Sequence, residues 1–251
     1  MSVTASQLET ALNELLQPDR FKDYCPNGLQ VEGRADIAML YSGVTASQAL
    51  IDRAVADGVD AILVHHGYFW RGEDPRLVGM KGRRIRTLIT AGINLFAYHL
   101  PMDCHPVLGN NAGLGKALGL QAFGPLDVTD ASLPVFSGGF AQPLEQSAVA
   151  ARLSEALGRP VLSEGEGLVR RVAWCTGGGQ GYIDTAAAAG VDLFVTGEVS
   201  EQTIHSAREQ GVGFIAAGHH ATERFGPQSV GKWVANEFGI EHQFIDIDNP
   251  A

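Results

Sequence analysis

Residues 37–64 read IAMLYSGVTASQALIDRAVADGVDAILV, and this stretch decides the fold. The apolar runs at 37–44 and 59–64 have the length and composition of β-strands, and the segment between them has the spacing of an amphipathic helix. A strand, a helix and a second strand in this order place the two strands parallel in one sheet. The sequence therefore predicts an α/β fold.

The same order of elements occurs again later in the chain. RVAWCTG at 171–177 is typical of a strand, GGQGYIDTAAAAG of a helix, and VDLFVTGE at 191–198 of a second strand. A shift of 132 residues aligns 58–60 with 190–192, both reading GVD, and lays His65-His66 over Gly197-Glu198. With a slightly different shift, the next helix and strand also match, 86–99 against 206–219.

These likenesses predict an internal duplication. We expect two similar α/β halves, 1–126 and 127–251, each with mixed or parallel sheets flanked by helices. The C-terminal segment of the second half is left able to pack back on the first. In sheets of this kind, ligands bind outside the carboxyl ends of the strands.

Composition narrows the class of protein. The 251 residues are 45% hydrophobic and 18% charged, which describes a globular chain able to bury a full core. A formal net charge of −10 argues against broad electrostatic capture of nucleic acid or an anionic membrane. No apolar run approaches the roughly 20 residues of a membrane-spanning helix. The three cysteines form no CxxC pair and suit reduced thiols, so we expect a cytoplasmic protein.

Metal-ligand side chains follow apolar runs at distant places in the chain. His65 and His66 end the run AILVHH, and His219 and Glu223 follow GFIAAG with the spacing of one helix face. Asp103 offers a carboxylate from YHLPMDCH. Mixed nitrogen and oxygen ligation suits Fe, Zn, Mn, Co or Ni better than Mg or Ca. The sequence therefore predicts a metal site built from these five residues.

The other histidines are assigned lesser roles. His99, His105 and His220 fit a supporting position, from which they orient ligands by hydrogen bonds. His205 and His242 are expected at the surface or in ordinary packing. TGGGQG at 176–181 is expected to form a tight turn, because it lacks the spacing of a phosphate-binding loop.

Long motifs spread over almost the whole chain resemble one protein family, the GTP cyclohydrolase type 2 homologs. These are also called NGG-one-interacting-factor-three-like proteins and include the bacterial YbgI-type proteins. The motifs are DYCPNGLQVEG at 23–33, VHHGYFWRGEDP at 64–75, HLPMDCHPVLGNNAGLGKALG at 99–119, GEVSEQTIHSAREQG at 197–211 and GHHATERFG at 218–226.

The resemblance implies a two-domain α/β subunit with a dinuclear metal centre between the halves, holding two divalent cations per subunit. It also implies a toroidal homohexamer with the metals facing an inner cavity. The family's ligand pattern matches the five residues chosen above: His65, His66, Asp103, His219 and Glu223. The family's biochemical role is unsettled, so the cyclohydrolase name states homology and no demonstrated activity.

The leading functional hypothesis is a metal-dependent hydrolase that acts on a nucleotide or on a cyclic amidine or amide. Two ions roughly 3.5–4 Å apart would activate water and polarise a substrate oxygen. Asp103 or Glu223 would bridge the ions, and His99 or His105 would shuttle the proton. The alternative is a non-catalytic protein that binds or delivers metal or serves as an adaptor. An open coordination position would favour the hydrolase, and a closed ligand shell the alternative.

Overall fold

The structure is a computed structural model that describes residues 1–130 and 133–251. In chain order, the strands are β1 (Val3–Thr4), β2 (Gly28–Val31), β3 (Asp36–Ile37), β4 (Met39–Thr45), β5 (Ala61–His66), β6 (Asn94–Ala97), β7 (Phe123–Pro125), β8 (Phe136–Glu145), β9 (Leu162–Glu164), β10 (Leu168–Cys175), β11 (Leu193–Thr196), β12 (Gly213–Ala216) and β13 (Glu241–Phe244). The α-helices are α1 (Ala5–Leu16), α2 (Gln48–Asp57), α3 (Gly79–Ala91), α4 (Leu100–Cys104), α5 (Asn110–Ala117), α6 (Gln146–Leu157), α7 (Ile183–Ala188), α8 (Glu201–Gln210), α9 (His219–Thr222) and α10 (Phe225–Phe238).

The strand, helix and strand predicted from residues 37–64 are confirmed as β4, α2 and β5. Local sequence explains the bounds of the helix. The Ser47 hydroxyl accepts the backbone N–H of Leu50 at 3.3 Å and caps the start of α2. Gly58 ends the helix with a φ of 70°, a left-handed conformation that glycine adopts at little cost.

The chain divides into two compact units. Unit 1 comprises Met1–Met102 and Gly226–Asp248, and unit 2 comprises Asp103–Phe225 and Asn249–Ala251. These bounds differ from the halves expected from the sequence. Helix α5 packs its leucines into the core of unit 2, and β13 pairs parallel with β4 in unit 1.

Unit 1 is built on a five-stranded mixed sheet in the order β13-β4-β5-β6-β2. The first four strands are parallel, and β2 runs antiparallel to β6. Leu50 of α2 and Leu88 of α3 pack on the face that carries Ile62. Because side chains alternate along a strand, Leu63 points to the opposite face, where it is also fully buried. The central strands are therefore covered on both faces.

Unit 2 is built on a six-stranded mixed sheet in the order β7-β8-β10-β11-β12-β9. Strands β10, β11 and β12 are parallel, and the outer strands pair antiparallel. Helices α5 and α6 cover the face of Trp174 and Val195, and α7 and α8 cover the face of Phe194. Both units thus have the mixed sheets flanked by helices that the sequence predicts. Over the residues described, no helix has the length and apolarity that crossing a membrane requires.

Replacing Ile62 with alanine should lower the free energy of unfolding by about 2–5 kcal/mol, because the deleted atoms leave a cavity in the core. Val55→Ala on α2 is the control, since Val55 is 41% exposed, and it should change stability by less than about 0.5 kcal/mol. Urea unfolding followed by circular dichroism measures both. Equal losses would contradict the burial of β5.

Candidate metal centre

The candidate ligands and their partners lie at the carboxyl ends of parallel strands, where sheets of this kind bind ligands. In unit 1, β5 ends at His66, and β6 ends two residues before His99. In unit 2, β10 ends directly before Thr176, β11 ends two residues before Glu198, and β12 ends three residues before His219. The prediction that the histidines stand at strand ends is therefore confirmed in each unit.

Three histidine rings meet in unit 1. The ring centroids of His65 and His66 are 4.5 Å apart, and those of His65 and His99 are 5.0 Å apart. One donor atom from each ring lies within 4.8 Å of the other two. Nδ1 of His65 lies 3.1 Å from the carbonyl oxygen of Tyr98. Because a carbonyl can only accept, Nδ1 donates and Nε2 keeps the lone pair that a metal ion requires.

A carboxylate holds the third ring in place. Nδ1 of His99 lies 2.7 Å from Oδ1 of Asp23, whose Oδ2 accepts the N–H of Leu100 at 2.9 Å and the amide of Asn27 at 3.0 Å. Burial raises the pKa of Asp23, but its bonds to His99 and Asn27 outweigh burial and leave the pKa below its usual range. Cys25 lies nearby, but burial and the charge of Asp23 raise its pKa to about 12. The thiol therefore stays protonated near neutral pH and is a poor ligand.

Two buried carboxylates lie in unit 2. Asp103, at α4, is 5% exposed and accepts hydrogen bonds from the Asn110 amide at 2.8 Å and the Thr176 hydroxyl at 3.1 Å. Glu223 follows α9 and is 2% exposed. Burial raises the pKa of Cys175 well above its usual range, and the charges of Asp103 and Glu223 raise it further. Both carboxylates therefore act on the same sulfur.

His219 contacts two carboxylates within unit 2. Its Nδ1 lies 2.6 Å from Glu198 Oε1, and its Nε2 lies 3.1 Å from Glu223 Oε2. Burial lowers the pKa of His219, but the two carboxylates outweigh burial and raise the pKa to about 9. Gly177 leaves room for this pair, because a Cβ there would overlap Glu223 Oε1 and come within 3.1 Å of His219 Nε2. The helical spacing predicted for His219 and Glu223 is confirmed.

The two proposed proton shuttles have different surroundings. Nδ1 of His105 accepts the backbone N–H groups of Val107 and Leu108 at 3.3 and 3.0 Å, and burial lowers its pKa. These bonds tie His105 to its own loop. His99 stands among the other histidine rings and is the better placed of the two. His220 is buried, and its backbone N–H donates to the carbonyl oxygen of Ala251.

Sequence reasoning missed the partners that hold these side chains. Asp23 is 76 residues from His99, and Thr176 is 73 residues from Asp103, so no spacing rule joins them. Glu198 did have a signal, because the shift of 132 residues laid it on His66.

The donor set within each unit fits a divalent transition-metal ion. Imidazole nitrogens and carboxylate oxygens are its usual protein ligands. Ligating histidines commonly donate their second ring nitrogen to a protein oxygen. Nδ1 of His65 and of His219 is engaged in this way.

The fold and these clusters define a mixed α/β protein with metal-ligand side chains at its strand ends. The family model described as Duf34/NIF3 (NGG1p interacting factor 3) matches residues 3–250. The chain belongs to this family, and the resemblance read from its motifs is confirmed.

Relatives and solved structures agree with this assignment. A protein of Yersinia pestis named GTP cyclohydrolase 1 type 2 homolog is 57% identical over 248 residues, covering 98% of both chains. A protein of Pseudomonas aeruginosa with the same name is 54% identical over 252 residues, covering 100% of both. The solved structure of the protein ybgI, described as of unknown function, superimposes with a TM-score of 0.94 at 50% identity, covering 99% of this chain and 100% of that one. A protein from Thermus thermophilus, TTHA1606, gives a TM-score of 0.91 at 34% identity, with the same coverage.

The cradle at Gly177 predicts a large difference between two glycines of one loop. Gly177→Ala should lower the unfolding free energy of the metal-free protein by about 1–3 kcal/mol, since Gly177 has a φ of 64° and an added Cβ overlaps Glu223. Gly181→Ala is the control, because nothing lies within 4 Å of its Cβ position. Urea unfolding compares them, and equal costs would contradict the placement of Glu223.

The bond between Asp23 and His99 predicts a pH dependence of stability. The folded pKa of Asp23 lies below its usual value of about 3.9. Its contribution is therefore present above that value and is lost as pH falls through the folded pKa. Wild type should be more stable than Asp23→Asn at pH 7, and the gap should narrow towards pH 2. Urea unfolding over this range measures the gap, with the exposed Asp19→Asn as control. A gap that widens towards acid pH would refute the assignment.

Proposed function

We propose that the protein binds two divalent cations per subunit and is a metal-dependent hydrolase acting on a nucleotide or on a cyclic amidine or amide. The candidate ions are Fe, Zn, Mn, Co and Ni. The proposed ligands are the five residues His65, His66, Asp103, His219 and Glu223.

One observation carries the proposal: histidines at strand ends have Nδ1 fixed by an oxygen, while carboxylates are buried at equivalent strand ends. Nδ1 of His65 bonds to a carbonyl and Nδ1 of His219 to Glu198. Nδ1 of His66 lies 3.3 Å from the hydroxyl of Thr45. In each case Nε2 is the remaining ring donor, and the ring is held in one orientation before any ion binds.

The chain's own residues have distinct tasks in such a reaction. When bound, a pair of cations polarises a substrate oxygen and makes a water molecule more acidic. A carboxylate offers two oxygens, so Asp103 or Glu223 is the residue able to bridge both ions. His99 can hold a proton at Nε2, because Asp23 engages Nδ1. Trp70, with its ring centroid 5.0 Å from that of His99, limits the access of water to this edge.

We also propose that the two sheets arose by internal duplication, and their registers support this. The pairing of Leu40 with Ala61 in unit 1 becomes the pairing of Val172 with Leu193 in unit 2 after the shift of 132 residues (40 to 172, 61 to 193). The sheets also share an antiparallel outer strand beside the third parallel strand, β2 beside β6 and β9 beside β12.

Hydrogen bonds and packing repeat as well. Asp60 accepts the backbone N–H groups of residues 38 and 39, and Asp192 accepts those of residues 170 and 171, the same positions after the shift. The third strands match when Asn94 is aligned with Gly213, a shift of 119. The alignment of 86 with 206 stated from the sequence differs from this by one residue. His99 and His219 are consequently not equivalent positions.

The proposed assembly is a toroidal homohexamer, and the proposed location is the cytoplasm. Apolar side chains on the surface of unit 1 support an assembly, because clusters of this kind commonly mark protein contacts. Leu77, Val78 and Met80 are 49%, 59% and 58% exposed and lie close together in sequence.

Metal analysis tests the proposed ligands. After loading with one metal and gel filtration, wild type should retain two ions per subunit, and Asp103→Ala and Glu223→Ala should each lose at least one, because each removes an oxygen ligand. The control is Asp52→Ala, an exposed carboxylate on α2. Plasma mass spectrometry measures the content. Variants that keep the wild-type content would refute the ligand set.

The same proteins separate the hydrolase from its alternative. Metal-loaded wild type is assayed across nucleotides and cyclic amidines and amides, with the two ligand variants alongside. Turnover that falls with metal content supports the hydrolase. Retained metal without turnover of any substrate would remove the hydrolase and leave a protein that binds or delivers metal.

A further inference from the structure

A cavity lies beside Glu198, and all of its lining residues belong to unit 2. Its volume is about 530 Å³, within the range of roughly 300–1,000 Å³ typical of small-molecule sites. The lining includes Arg159, Val161, Leu162, Glu198, Val199 and Ala216. The proposed catalytic hypothesis leaves this cavity unused.

The wall of the cavity is apolar and its polar groups are few. Leu162 and Val199 remain 47% and 39% exposed, a surface suited to the face of a flat ring. The guanidinium of Arg159 donates to the carbonyl oxygens of Pro250 and Ala251 at 2.8 and 3.0 Å, so it holds the chain at the cavity edge. Glu198 is the acidic group of the lining.

Glu198 is held in a fixed orientation. Its Oε1 lies 2.6 Å from His219 Nδ1, its Oε2 accepts the amide of Gln180 at 3.1 Å, and its side chain is 44% exposed. Each carboxylate oxygen has two lone pairs, so both oxygens can accept a further hydrogen bond. A carboxylate oriented in this way matches two parallel N–H donors, as in its pairing with a guanidinium fork.

We propose that this cavity binds a small planar heterocycle through an amidine or guanidine-type edge. Two N–H groups of the ring edge donate to Glu198, and the ring face packs on Leu162 and Val199. The inference rests on the proposed function and narrows its substrate class, because Glu198 also orients the proposed ligand His219. In the duplicated register, Glu198 takes the position that His66 has in unit 1. One copy of this strand end would then bind metal and the other would read the substrate.

Guanosine and inosine are matched probes, since inosine lacks only the exocyclic amine of the guanidine-type edge. Calorimetric titration of the full-length, metal-stripped protein should give at least about tenfold tighter binding of guanosine, by the loss of one hydrogen bond to a charged acceptor. Glu198→Gln should abolish this preference. Glu201→Gln, an exposed acid on the next helix, should preserve it.

A second variant tests the cavity without touching the carboxylate. Val199→Trp fills the cavity from its exposed rim and should weaken binding of both nucleosides at least about tenfold. Failure of guanosine to bind, equal affinities for the two nucleosides, or binding insensitive to Val199→Trp would each overturn the proposal. Because the titration uses metal-stripped protein, these results do not depend on the metal content of Asp103→Ala and Glu223→Ala. The two proposals can therefore fail separately.

Discussion

The burial of two carboxylates in unit 2 is the constraint on which the rest of the structure depends. Asp103 and Glu223 are 5% and 2% exposed. Removing a carboxylate from water costs several kcal/mol, and neutral donors such as Asn110 and Thr176 offset only part of that cost. The raised pKa of His219 is the response of the metal-free chain, since a protonated imidazole balances the charge of Glu223. A divalent cation supplies more positive charge and displaces that proton.

The remaining architecture fixes the orientation of the rings. Parallel strands bring their carboxyl ends to one edge of each sheet, so residues from separate segments of a unit converge there. His65 is then oriented by a backbone carbonyl, and His99 and His219 by carboxylates. A ring held in this way loses little further freedom when it binds an ion. The fold thus prepares the donor atoms in advance.

Local patterns account for what could be predicted from the sequence. Apolar periodicity identifies β4, α2 and β5, and the position after a strand identifies His65 and His66. The helical spacing of His219 and Glu223 is also local. The bounds of the units and the partners Asp23 and Glu198 could not be predicted in the same way, because they depend on which distant segments pack together. The duplicated register recovers Glu198, since it carries information about one unit into the other.

Anomalous diffraction tests the central claim most directly. Crystals loaded with a single metal would be measured on both sides of its absorption edge. The account predicts two anomalous peaks per subunit, each about 2.0–2.3 Å from donor atoms of His65, His66, Asp103, His219 or Glu223. The absence of peaks, or peaks bound by other residues, would contradict it.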